Sequence, residues 1–91
     1  MPEVRTTVGS SVGLHARPAA LFVQQAASQN IPVTISKDGG DPVDARSILS
    51  VIALDARGGD EIILHAEDGP EADEVLRELA EFVAANHDSA S

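Results

Sequence analysis

The residues best suited to chemistry lie together in the run Gly13-Leu14-His15-Ala16-Arg17-Pro18-Ala19. A proline has no amide hydrogen, so Pro18 fits a helix only in its first turn, where that hydrogen would have no acceptor. The helix must therefore begin at residue 15 or 16, which puts His15 at the N-cap or in the first turn. The amides of Ala16 and Arg17 are then unpaired and directed outward, and Arg17 adds a guanidinium. Helix N-termini bind anions, and a guanidinium offers bidentate donors to phosphate oxygens. The positive end of the helix dipole also favours the neutral, nucleophilic imidazole over the imidazolium. After transfer, the same donors would stabilise a phosphoimidazole, the combination that covalent relay through histidine needs. No acid lies between Ser10 and Asn30 to repel the phosphate. The same residues also fit an ordinary surface histidine near a helix start, and taken alone they leave both readings open.

The elements that must carry this segment follow from hydrophobic periodicity. Val4, Thr6 and Val8 alternate with Glu3, Arg5 and Thr7, the period of a half-buried strand, until Gly9-Ser10-Ser11 interrupts it. Over residues 16–29 the period lengthens, with Ala19, Phe22, Val23 and Ala26 on one helical face and Asn30 expected as a left-handed C-cap before Pro32. Val33 and Ile35 mark a second strand, which turns over residues 37–41 into a short third strand around residues 42–44, an edge strand because of Pro42. Residues 47–54 read as a short, largely apolar helix with Ser47 as N-cap, its hydroxyl accepting from a first-turn amide. After Gly58-Gly59, Ile62, Leu64 and Ala66 alternate with Glu61, Ile63, His65 and Glu67 as a fourth strand. Asp68-Gly69-Pro70 opens a last helix, with Pro70 near its first position and Glu71, Asp73 and Glu74 at the positive end of its dipole. Its expected buried stripe is Ala72, Val75, Leu76, Leu79, Phe82 and Val83.

The order is βαββαβα, which predicts a two-layer α+β domain with helices on one face of a four-stranded sheet. The other face, carrying Thr34, Ser36, His65 and Glu67, is expected to be wet. We expect one domain over residues 1–88 with a frayed tail at 89–91.

Composition narrows the function. A chain of 91 residues buries only about 60–65% of its unfolded surface, enough for one modest core and no deep cleft. Aromatic residues make up 2%, so the core must be aliphatic. The net charge of −9 and the lack of Trp and Tyr argue against nucleic acid, which needs clustered cations or stacking rings, and against anionic membrane surfaces. There are no cysteines for disulfides, thiol catalysis or thiolate metal sites. The chain opens without a basic, apolar leader and has no apolar run near the ~18 residues of a membrane span, so the expected compartment is the cytoplasm. Residues 1–54 carry four basic and four acidic side chains, so all of the −9 lies in residues 55–91, where Arg57 and Arg77 face eleven acids. Arg17 is the one charged side chain in residues 10–30, and Arg46 the one in residues 45–54. These neutral-to-basic stretches are where a partner is expected to dock.

The histidine run resembles the active-site motif of the HPr family, the histidine-containing phosphocarriers of the bacterial phosphoenolpyruvate-dependent sugar phosphotransferase system. Ala45-Arg46-Ser47-Ile48-Leu49, followed by residues 51–54, resembles the second motif of that family, a serine before an apolar helix. The resemblance spans residues 3–85 and includes the element order, and two motifs in order are far more specific than one. It implies an open-faced antiparallel sandwich with its strands ordered first, fourth, second, third. It implies that His15 takes a phosphoryl group on Nδ1 from phosphorylated Enzyme I and passes it to EIIA domains of sugar permeases, with Arg17 and the Ala16 amide steadying the phosphate. Ala20, Leu21, Ile48, Leu49 and Ile52 would form the apolar patch that both partners share. Ser47 matches a position phosphorylated in some Gram-positive members by a dedicated HPr kinase/phosphorylase. A dianion at a helix N-terminus is tolerated, so such a phosphate would act by blocking docking rather than by unfolding. Gln24 and Ala27 stand where the family often has basic residues, and Ser50 and Asp55 where it has small ones, which weakens the electrostatic part of docking.

The expected protein is thus a monomeric phosphoryl carrier, not an enzyme, with no cofactor and no metal. Two alternatives stand beside it: a paralogous carrier of a nitrogen-regulatory or dihydroxyacetone-kinase branch, and a non-catalytic binding module controlled at Ser47. His65 and His87 have no neighbours at metal-ligand spacing and read as solvated surface.

Overall fold

Alternating and helical periods along the chain become seven elements in a computed structural model, which describes residues 2–9, 16–37, 40–67 and 69–85, the side chains of residues 16–18 excepted. They are β1 (Glu3–Thr7), α1 (Ala16–Ala27), β2 (Val33–Lys37), β3 (Val43–Asp44), α2 (Ile48–Ala53), β4 (Glu61–Ala66) and α3 (Ala72–Ala84). The strands form one antiparallel sheet in the order β1-β4-β2-β3, as the resemblance implied. Residues 86–91, including His87 and the expected tail, lie outside the described residues.

Register explains which face is dry. Val4, Leu64, Ile35 and Val43 stand in one row across the four strands, and Thr6 with Ile62 and Val33 with Ala66 extend that face. Because the strand period is two, every second residue joins this row. It meets Ala19, Phe22 and Ala26 of α1, Val51 of α2 and the inner stripe of α3 in one aliphatic core. Phe22 and Phe82 are its two rings, tilted at 42° with centroids 6.5 Å apart.

Four local expectations change. Helix α1 ends at Ala27, and Asn30 is not left-handed; among the described non-glycine residues only Asp55 has a positive φ, 56°. The end of α1 is tied off by side chains, since Ser28 Oγ and Gln29 Nε2 both donate to the Gln25 carbonyl at 2.8 and 3.3 Å. Helix α3 starts at Ala72 rather than at Pro70, because the chain first turns, with the Ala72 N–H donating to the Gly69 carbonyl at 3.2 Å. On α3, Ala80 joins the buried stripe while Phe82 is only half-buried, for α3 packs over β1, where Thr6 Oγ donates to the Ala80 carbonyl. On the outer sheet face Ser36 is buried and Thr34 and His65 are half-buried. Ser36 lies in register with Ile63 of β4.

Candidate functional site

Helix α1 begins at Ala16, directly after His15, and has no acid in its first turn. Its first-turn amides therefore lack intrahelical acceptors, as Pro18 demanded. His15 and the side chain of Arg17 lie outside the described residues. Farther along α1, Ala20 is exposed and Leu21 half-buried.

Helix α2 packs beside α1. Ser47 caps it in an extended conformation, φ −99° and ψ 110°, and its Oγ accepts from the Ser50 N–H at 3.3 Å. Val51 is its buried anchor. The opposite side is unusual for a small soluble-type surface, with Leu49 78% exposed and Ile48 and Ile52 each 37% exposed. These three are the exposed large hydrophobic residues among those described. Exposed apolar groups gathered on one short helix add nothing to the core.

The electrostatics differ from the linear charge pattern. Arg46 is flanked in space by Asp44, whose Oδ1 accepts from the Arg46 backbone N–H at 2.9 Å and from its Nε at 3.3 Å. The Asp44 carboxyl is held below its ordinary value, first by that backbone N–H and then by the guanidinium. The segment around Ser47 is thus less basic than its sequence implies. Sequence reading missed Asp44; the signal was an Asp two residues before a donor N–H, the spacing of an Asx turn.

A second cluster braces the loop before β4. Asp60 Oδ2 accepts from the Arg57 N–H at 3.0 Å and pairs with Lys37 at 3.5 Å, and its carboxyl is lowered chiefly by the Arg57 N–H. Among the described residues, no three His, Asp or Glu side chains are grouped as metal ligands, and no helix is long and apolar enough to cross a membrane.

An open antiparallel sandwich, a helix beginning at Ala16 with no acid in its first turn, and an exposed apolar helix packed beside it together describe a small α+β domain with a surface site. Comparison with known proteins specifies which one. Residues 2–85 match the family model described as the PTS HPr component phosphorylation site. The chain is 50% identical over 84 residues to the phosphocarrier protein HPr of Streptomyces coelicolor, covering 92% of this chain and 89% of that protein. It is 40% identical over 83 residues to the HPr-like protein Crh of Bacillus subtilis, covering 91% of this chain and 95% of that protein. The crystal structure of a phosphocarrier protein HPr from Bacillus anthracis superposes with a TM-score of 0.83 at 40% identity, over 90% of this chain and 95% of that one. The chain belongs to the HPr family and is a phosphocarrier of the bacterial phosphotransferase system, a carrier of phosphoryl groups rather than an enzyme.

Proposed function

We propose that His15 is the phosphoryl acceptor, taking the group from phosphorylated Enzyme I and giving it to EIIA domains of sugar permeases in the cytoplasm. The observation that carries this reading is the start of α1 at Ala16, which sets the residue after His15 at a helix N-terminus free of acids. In the forward step the Nδ1 lone pair attacks phosphorus and the bond from phosphorus to Enzyme I breaks. The Ala16 amide and the Arg17 guanidinium hold the phosphoryl oxygens, with the helix dipole adding to both. The reverse attack by an EIIA group releases the imidazole unchanged, so nothing is consumed in the carrier.

Docking in this reading uses Ile48, Leu49 and Ile52 with Ala20 and Leu21, for α1 and α2 pack together, with Ile48, Leu49, Ile52 and Ala20 exposed and Leu21 half-buried. One face then serves both donor and acceptor, which requires the carrier to leave one before meeting the other. Ser47, at the head of that face, is where a kinase would switch docking off.

Reconstitution tests the pathway. With phosphoenolpyruvate and Enzyme I the chain should gain one phosphate, and adding an EIIA domain should remove it. A chain that keeps its phosphate in the presence of EIIA domains would overturn the assignment of partners.

A further inference from the structure

Arg46 immediately precedes Ser47, the cap of α2, and comes just before the exposed Ile48 and Leu49 in the chain, while its Nε is bonded to Asp44 of its own chain. The Asp44–Arg46 pair is solvent-facing, with the Arg46 and Asp44 side chains 47% and 51% exposed. Asp44 stands on the outer face of β3, in register with Thr34 of β2, so it approaches Arg46 from the side away from the core. The backbone bond from the Arg46 N–H fixes the carboxylate in place, and the Nε contact then holds the charged end of the side chain.

We propose that Asp44 is a positioning residue that tunes docking: it holds Arg46 back, so that a partner offering a carboxylate to this cation must first compete with Asp44. This deepens the docking reading above and rests on it. Exposed ion pairs of this kind shift an equilibrium by about two- to fivefold, enough to moderate binding without abolishing it. Moderation suits a carrier that uses one face twice, because affinity within one interface is set largely by the dissociation rate. The competition is electrostatic and weakens as salt screens it.

The test uses the full chain with phosphoenolpyruvate and Enzyme I. Asp44→Asn keeps an oxygen to accept the Arg46 N–H, so the turn persists while the charge is lost. At low salt we expect the KM for the carrier to fall about two- to fivefold with kcat unchanged, and the gain to disappear at high salt. Asp41→Asn removes a nearby exposed charge and should leave KM unchanged. Arg46→Gln provides a second measurement: it should raise KM more in the Asp44→Asn background than alone. An unchanged KM in Asp44→Asn, an equal gain in Asp41→Asn, or a gain that survives in the Asp44→Asn/Arg46→Gln double variant overturns the proposal and leaves the docking reading standing. A wild-type chain that takes up no phosphate overturns both.

Discussion

At the scale of single residues, the capping role of Ser47 and the docking role proposed for it can be separated by chemistry. Its hydroxyl accepts the Ser50 N–H, so Ser47→Ala should lower stability by about 1 kcal/mol, read from the denaturant midpoint. Ser47→Asp preserves an acceptor at the cap and adds a charge to the docking face; it should fold normally and raise the KM for Enzyme I. Equal KM values for Ser47→Asp and wild type would remove Ser47 from the control of docking. Leu49 makes the opposite case, because a side chain 78% exposed contributes little to the core. Leu49→Ala should change stability by less than about 0.5 kcal/mol while costing about 1–2 kcal/mol in partner binding, measured by titration with Enzyme I. Arg17→Lys keeps the charge and loses the fork, so transfer should slow about tenfold, with an unchanged rate contradicting bidentate contact.

At the scale of elements, the chain just beyond β1 is tied to the end of α3 at Gly9. Its N–H donates to the Val83 carbonyl at 2.9 Å, and a side chain built on it would collide with the Ala84 carbonyl at the end of α3. Gly9→Ala should therefore cost about 1–3 kcal/mol of stability, an overpacking penalty visible as a lower melting temperature. The elements themselves were largely legible in the sequence, since the period-two run from Glu3 to Val8 and the Pro18 rule for α1 depend on local sterics alone. Less legible were features set by packing between elements. Ser36 is buried on a sheet face whose coverage its own strand pattern does not reveal, and the late start of α3 depends on a turn over Gly69 that a proline rule does not describe. Asn30 had suitable chemistry for a left-handed cap, but its Nδ2 donates instead to Glu71 Oε1 at 3.4 Å, linking the end of α1 to the start of α3.

At the scale of the whole molecule, charge and acid response can be derived together. Asp44 and Asp60 both titrate below their ordinary value of 3.8 in the folded chain because backbone N–H groups stabilise their ionised forms. A carboxyl depressed by folding contributes stability above its unfolded pKa and loses it as pH falls through the folded value. Wild-type stability should therefore decline below about pH 3.8, and the Asp44→Asn/Asp60→Asn variant should show a shallower decline in denaturant titrations from pH 5 to 2. Around the candidate site, the start of α1 and the capping serine were legible because they rest on sequence-local chemistry. Its field was not, because Asp44 reaches Arg46 through a folded turn and changes what the charge count around Ser47 means. In the proposed function one residue, His15, carries the phosphoryl group. Intact mass measurement after incubation with phosphoenolpyruvate and Enzyme I should show one added phosphate that is lost in acid and absent from a folded His15→Ala variant. A phosphate that persists in His15→Ala, or survives acid treatment in the wild type, would contradict it.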